Sequence, residues 1–112
     1  MEMQVAEHVV RVSLVTLKGR LDINNAPELR TRLQDLLNQG FYNFVLDLSE
    51  VAFMDSAIMA AFISLLKNAR LKEGDVAVVS PRSDDARRIF HLTKFDRVFV
   101  MKTTVIDALK VF

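Results

Sequence analysis

The hydrophobic pattern along the chain alternates between the two-residue period of strands and the longer period of helices. Near the N-terminus Val10, Val12 and Leu14 alternate with Arg11 and Ser13, which predicts a half-buried strand. From Val15 to Leu17 the alternation fades, as if both faces were covered. A weaker strand is predicted before it, over Met3 to Glu7.

The next segment predicts a loop and an amphipathic helix. Gly19 interrupts the strand pattern, and we expect a loop through Asn24. Asn25 with Glu28 three positions later is typical of an N-cap close to a capping box. Leucines at helical spacing follow, and Gly40 predicts the left-handed end of the helix. These leucines are Leu29, Leu33, Leu36 and Leu37.

The second half of the chain predicts three further strands and three further helices. The strands are Phe44 to Leu48, Val76 to Val79 and Val98 to Met101. The helices are Ala57 to Leu71, stopped by Gly74; a short helix capped by Ser83 and running through Leu92; and a last helix opened by Thr104 with Asp107. The order is therefore β-β-α-β-α-β-α-β-α, and strands joined through helices run largely parallel. We expect one α/β domain over residues 1–112, with a mixed, mostly parallel sheet of about four to five strands and about four helices.

Composition and charge exclude several classes of function. The 15 basic and 14 acidic residues give a net charge of +1, so no global field attracts nucleic acid. Between Arg82 and Lys102 there are six basic and three acidic residues, for which a solvated face is favoured over a binding patch.

The sequence predicts a soluble, cytoplasmic protein. It contains no cysteine, which suits a reducing compartment, and Met1 to Gln4 lack the features of a signal peptide. The apolar run from Ala57 to Leu66 is about half of the roughly 20 residues that a membrane-spanning helix needs. We therefore expect no membrane insertion.

No enzymatic motif is present. The three glycines are far apart, which excludes a glycine-rich phosphate loop, and no Gly-x-Ser-x-Gly elbow occurs. His8 and His91 lie in unrelated segments without the spacing of metal ligands, and surface positions are favoured for both. We expect no catalytic residue, no cofactor and no metal. A small ligand-binding or enzymatic α/β domain has only fold-level analogy in its favour.

Asp55 and Ser56 are the most informative polar pair, because they stand between a strand and the most apolar helix. One interpretation is structural: either residue would act as an N-cap worth about 1 kcal/mol. The other is a phosphorylation site at Ser56, since the start of a helix accepts a phosphate and the modification adds about −1.5 to −2 charges.

The segment from Leu46 to Ser56 resembles the core motif of the anti-sigma-factor antagonists, the STAS family, in which an Asp-Ser pair starts a helix. Gly19 to Asp22 resembles the family's Gly-x-Leu-Asp turn, and Arg87 to Asp96 resembles its third-helix stretch. The resemblance covers nearly the whole chain and implies a small mixed sheet with helices largely on one side.

The resemblance also implies a mode of action. Family members bind an anti-sigma-factor serine kinase and thereby free a sigma factor. The kinase phosphorylates the serine, binding is lost, and a PP2C-type phosphatase restores it. Ser56 is the matching serine, and the expected partner-binding residues are Asp22, Asp55, Ser56, Ile58 and Met59.

The chain departs from the family motif after Ser56. Ile58 and Ala60 stand where the family usually has glycines. The bulk of Ile58 would either narrow access to Ser56 or be harmless if it points into the core. Phe53, Met54, Ile58 and Met59 would form an apolar docking rim if exposed and ordinary core if buried. The alternative function is a STAS interaction module without a phosphorylation switch, within a larger signalling or lipid-transport complex.

Overall fold

The protein is described by a computed structural model covering residues 1–7 and 11–112; for Glu7 only the backbone is described. His8 and Val10, on which sequence predictions were placed, lie outside the described residues. The described elements follow the predicted order β-β-α-β-α-β-α-β-α, with one additional 3-10 turn. The strands are β1 (Glu2–Glu7), β2 (Val12–Leu21), β3 (Asn43–Met54), β4 (Asp75–Val79) and β5 (Val100–Lys102). The helices are α1 (Ala26–Asn38), α2 (Ser56–Leu71), α3 (Asp84–Thr93) and α4 (Val105–Leu109).

The five strands form one mixed sheet in the order β1-β2-β3-β4-β5. β1 pairs with β2 in the antiparallel direction, and each of the other neighbouring pairs is parallel. The prediction of a mixed, mostly parallel sheet is therefore confirmed. Parallel strands have their carboxyl ends at one edge of the sheet, which brings the ends of β2 and β3 together.

The sheet has a different hydrophobic cluster on each face. The larger cluster joins one face to α1, α2 and α3. The smaller cluster contains Val12, Val45, Ala77 and Val79, with Ala108 of α4 packed against them. Three helices thus lie on one face and the short α4 on the other, as the expected one-sided helical cover implies. Ser13 is buried although it lies at a polar position of the predicted alternation, because helices cover the face to which it points.

Two strands are longer than predicted. Gly19 does not end β2, because the strand continues to Leu21 with Gly19 at φ +83°. β3 does not stop at Leu48 but runs to Met54. The two extensions stabilise each other, since Lys18 pairs with Glu50 and Leu21 with Met54, with one register shift between these two pairs. The hydrogen-bonded ladder therefore extends to Leu21, and the predicted loop through Asn24 is shortened to residues 22–25.

The ends of α1 differ in how well they were predicted. Asn25 precedes the helix, but its side chain does not cap it; its Oδ1 accepts a hydrogen bond from the Asp22 amide at 3.1 Å instead. The predicted capping box is therefore wrong. Gly40 ends the helix at φ +91°, and its amide donates to the Leu37 carbonyl. The amide of Phe41 donates to the Leu36 carbonyl, which completes a Schellman motif.

Gly74 has a different role from the one predicted. The left-handed residue that ends α2 is Glu73, at φ +64°, and not Gly74. A Cβ at Gly74 would lie 1.8 Å from the Tyr42 carbonyl oxygen, so close packing against the chain before β3 requires glycine there.

The last strand begins later than predicted. Val98 and Phe99 precede β5, following a 3-10 turn over Phe95–Arg97. Phe99 packs edge-on against Phe90 of α3 and is buried, so its apolar character reflects core packing between helix and strand. Ser83 and Thr104 accept hydrogen bonds from the amides of Ala86 and Asp107, which confirms both as N-caps.

Candidate functional site

The carboxylate of Asp55 organises the edge of the sheet where β2 and β3 end. Its Oδ1 accepts hydrogen bonds from the amides of Ala57 at 3.0 Å and Ile58 at 3.1 Å, which caps α2. Its Oδ2 accepts a hydrogen bond from the Ile23 amide at 2.9 Å. Asp55 therefore caps the helix and also ties the β2–α1 loop to it.

Ser56 is the first residue of α2, and it is exposed. Because the neighbouring carboxylate already caps the helix, the fold does not require the Ser56 hydroxyl for capping. Each residue of the Asp55–Ser56 pair thus fits one of the two interpretations: Asp55 is the N-cap, and Ser56 presents its hydroxyl at the surface.

Asp22 lies in the same cluster, bound to different partners. Its Oδ2 forms an ion pair with Arg20 at 3.1 Å, and its Oδ1 accepts a hydrogen bond from the Asn24 amide. The guanidinium of Arg20 also lies over the ring of Phe53, 4.0 Å from its centroid. Arg20 is therefore held by a carboxylate and an aromatic ring at once. The connection from Asp22 to Asp55 runs through the backbone of the intervening Ile23.

The structure corrects the prediction for two of the expected partner-binding residues. Ile58 and Met59 are 0% and 2% exposed, so neither offers its side chain as a docking rim. Both lie on the face of α2 that packs against the sheet, together with Phe62 and Leu66. Met54 is likewise buried, whereas Phe53 is half-buried.

The two departures from the family motif change the surface around Ser56 very little. Ile58 points into the core, so its bulk does not stand in front of Ser56. Ala60 is exposed, one helical turn after Ser56, and adds a single methyl group to that face.

Two surface grooves meet at Ser56. The first, here called the α3 groove, has a volume of about 440 Å³ and is lined by Phe53, Met54, Asp55, Ser56, Asp85, Arg88, Ile89 and Leu92. The second, here called the α2 groove, has a volume of about 400 Å³ and is lined by Ser56, Met59, Ala60, Ile63, Ser64, Lys67, Thr93 and Phe95. Among the described residues, Ser56 alone lines both grooves.

Exposed apolar side chains surround this site. Leu92 in the α3 groove is 73% exposed, and Ile23, whose amide binds Asp55, is 68% exposed. Sequence reasoning missed both. Ile23 was detectable as the only apolar residue between Asp22 and Asn25. Leu92 lies two positions after the buried Phe90 of α3. Only the packing of that helix shows that the Leu92 side chain points outward.

The described residues contain neither a cluster of potential metal ligands nor a membrane-spanning helix. Within residues 1–7 and 11–112, no cluster of three or more potential metal-ligating side chains occurs. In the same ranges, no helix combines the length and apolar character needed to cross a bilayer. His91 is exposed, with its Nδ1 3.1 Å from Asp96 Oδ2.

Comparison with known proteins places this arrangement in a family. The family model described as STAS domain matches residues 2–108. This chain belongs to the STAS domain family. The family expected from the resemblance in the sequence is therefore confirmed.

Several known proteins are similar to this STAS domain in both sequence and fold. A candidate anti-sigma factor antagonist of Thermotoga neapolitana is 31% identical over 91 residues, which cover 80% of each chain. The structure of an anti-sigma factor antagonist from Mycobacterium paratuberculosis is 30% identical, with a TM-score of 0.88 over 98% of this chain and 92% of the other. That of a candidate anti-sigma factor antagonist from Thermotoga maritima is 27% identical, with a TM-score of 0.89 over 96% and 92%.

Proposed function

We propose that this STAS domain is an anti-sigma-factor antagonist controlled by phosphorylation of Ser56. In its unphosphorylated form it binds an anti-sigma-factor serine kinase, which releases a sigma factor for transcription. The kinase transfers the γ-phosphoryl group of ATP to the Ser56 oxygen; the bond to the β–γ bridging oxygen breaks, ADP leaves and the hydroxyl proton is released. A PP2C-type phosphatase hydrolyses the ester and restores binding.

The observation that supports this proposal most directly is the separation of roles between Asp55 and Ser56. Asp55 caps α2, so Ser56 can change its charge without removing a hydrogen bond that holds the helix. The oxygen is exposed at the helix start, where the dipole tolerates negative charge. A phosphate there alters the surface and leaves the core in place.

The surface around Ser56 has the character of a docking site. Ile23 and Leu92 expose large apolar side chains, and Phe53 exposes part of its ring under Arg20. Asp55 holds the loop that carries Ile23 against the start of α2, and Asp22 accepts a hydrogen bond from the Asn24 amide within that loop. A dianion at Ser56 would face a partner packed on these groups, and it would cost that interface several kcal/mol.

Incubation of the purified protein with its cognate anti-sigma-factor kinase and ATP, followed by peptide mapping, tests the proposal. We expect a single phosphate on the peptide that contains Ser56, and none in Ser56→Ala. Ser64, which also lies on α2, provides a matched control, since Ser64→Ala should be phosphorylated like the wild type. Robust phosphate at another residue, with Ser56 unmodified, would contradict the proposal.

A second candidate function is a STAS interaction module without the switch, and the exposed methyl of Ala60 favours it. In the resembled motif a glycine at this position lets a partner backbone approach closely. In this alternative, Ser56→Asp retains full partner binding, and the partner captured from cells is a transport or scaffold complex in place of a kinase. In the first proposal, Ser56→Asp weakens binding and Ala60→Gly leaves it intact or improves it.

A further inference from the structure

The α3 groove is lined by a cationic side chain as well as by Ser56. Arg88 lines this groove together with Ser56, and its side chain is 70% exposed. Its ion-pair partner Asp85 lies 4.0 Å away, at the outer limit of such a contact, and is itself 73% exposed. A pair with this geometry contributes little, so Arg88 can exchange Asp85 for a stronger anion at small cost.

The other cations around Ser56 are less suited to this role. Arg20 is already engaged by Asp22 at 3.1 Å and by the face of Phe53. Lys67 shares the α2 groove with Ser56 but stands eleven positions further along α2, which corresponds to about 16 Å of helix rise. Arg88 lies on the neighbouring helix α3 and lines the α3 groove together with Ser56.

We propose that Arg88 binds the phosphate of phosphorylated Ser56 and draws it into the α3 groove, so that the modified side chain covers Phe53, Ile89 and Leu92. This inference rests on the proposed phosphorylation of Ser56 and adds how the modification acts. The phosphate is a dianion with three acceptor oxygens, and a guanidinium binds such a group through two parallel hydrogen bonds. It displaces the Asp85 carboxylate, which has one charge and an exposed position.

In this arrangement the phosphorylated domain itself covers part of the surface on which a partner would dock. Binding of a partner to the α3 groove is weakened by the charge of the phosphate. It is weakened further because the modified side chain covers the apolar surface on which the partner would pack. The negative charge is at the same time shared with Arg88, so the phosphorylated form remains a stable folded protein.

Protein with phosphoserine installed at position 56 during translation tests this inference without any kinase. Phosphorus NMR titration follows the second ionisation of the phosphate, which has a midpoint near pH 6 when the group is unperturbed. We expect Arg88→Ala to raise the midpoint by about half a pH unit relative to the parent, because a neighbouring cation favours the dianion. Arg88→Lys should fall between the two, since an ammonium keeps the charge but not the paired hydrogen bonds.

Two further variants make the test specific. Arg87→Ala is the matched control, because Arg87 lies on the same helix, pairs with Asp84 and does not line the α3 groove. It should leave the midpoint unchanged. Asp85→Asn removes the competing carboxylate and should lower the midpoint. Equal midpoints in the parent, Arg88→Ala and Arg87→Ala would overturn the inference. Absence of kinase labelling at Ser56 would instead overturn the proposed function, so the two failures are distinguishable.

Discussion

At the residue scale, the central feature is the division of work between two adjacent side chains. Asp55 uses both carboxylate oxygens within the fold, on the amides of Ala57, Ile58 and Ile23. Ser56 stands at the surface beside it. The sequence predicted the importance of the pair, but it could not assign the roles, because either residue type can cap a helix.

The first prediction separates these roles by stability. Asp55→Ala should lower the free energy of unfolding by about 1–2 kcal/mol, because two helix amides and one loop amide lose their acceptor. Ser56→Ala should change it by less than about 0.5 kcal/mol, as for a surface substitution. Urea denaturation of both variants measures the difference. A larger loss in Ser56→Ala than in Asp55→Ala would show that the hydroxyl is the structural group.

The second prediction concerns Gly74. Gly74→Ala should destabilise the protein by about 2–3 kcal/mol, because the new Cβ would overlap the Tyr42 carbonyl oxygen at 1.8 Å and the backbone must move. Gly19→Ala is the comparison: nothing lies within 4 Å of its Cβ, so its cost is the left-handed backbone alone, about 1 kcal/mol. In thermal unfolding, Gly74→Ala should have a lower Tm than Gly19→Ala. The reverse order of the two Tm values would contradict this account.

At the scale of elements, the helices were predictable and the strand ends were not. Local signals placed three helix ends correctly, at Ser83, Thr104 and Gly40, whereas the capping box predicted at Asn25 does not form. The second halves of β2 and β3 contain Gly19, Ser49 and Glu50, whose local preferences favour a loop. They form strands because each provides the other's hydrogen-bond partners, a long-range interaction that a local pattern does not contain.

The same limit applied to the candidate site. Asp22, Asp55 and Ser56 were found from their motifs, and the structure brings them together through the Ile23 amide. Ile58 and Met59 were expected among the partner-binding residues, and the sequence left open whether their side chains are exposed or buried. On a helix, residues that are close in sequence can point in different directions. Ile58 and Met59 point toward the sheet, whereas Ser56 points to the surface. Arg88 was not found, because only the packing of α3 places it across a groove from Ser56.

The third prediction concerns the two positions at which α2 departs from the family motif. Ile58→Gly should cost about 3–5 kcal/mol, because it empties a fully buried site and adds the entropy of glycine in a helix. Ala60→Gly should cost only about 1 kcal/mol, since its side chain is exposed. Chemical denaturation distinguishes these values. Similar small losses for both would mean that Ile58 is not part of the core.

At the scale of the whole molecule, the sheet separates a structural face from the face that carries the site. α1, α2 and α3 pack on one side and bring the grooves to Ser56. α4 packs on the other side, over Val12, Val45, Ala77 and Val79. Partner binding should therefore depend on the first side and overall stability on both.

The fourth prediction tests that separation. Ala108→Asp buries an unpaired charge against the second cluster and should cost several kcal/mol of stability. Lys110→Asp, an exposed change at the residue that follows α4, should cost less than about 0.5 kcal/mol. Both folded proteins should bind the kinase with wild-type affinity at a temperature well below unfolding. Loss of binding in Lys110→Asp would place part of the interface on the α4 face.

The affinity of the anti-sigma-factor kinase for the protein, measured by calorimetry with Ser56 and with phosphoserine 56 under otherwise equal conditions, tests the central claim most directly. We expect the unmodified protein to bind and the phosphorylated protein to bind at least about a hundredfold more weakly, which corresponds to roughly 2.7 kcal/mol. Circular dichroism should show the same fold for both. Equal affinity of the two forms would contradict the account.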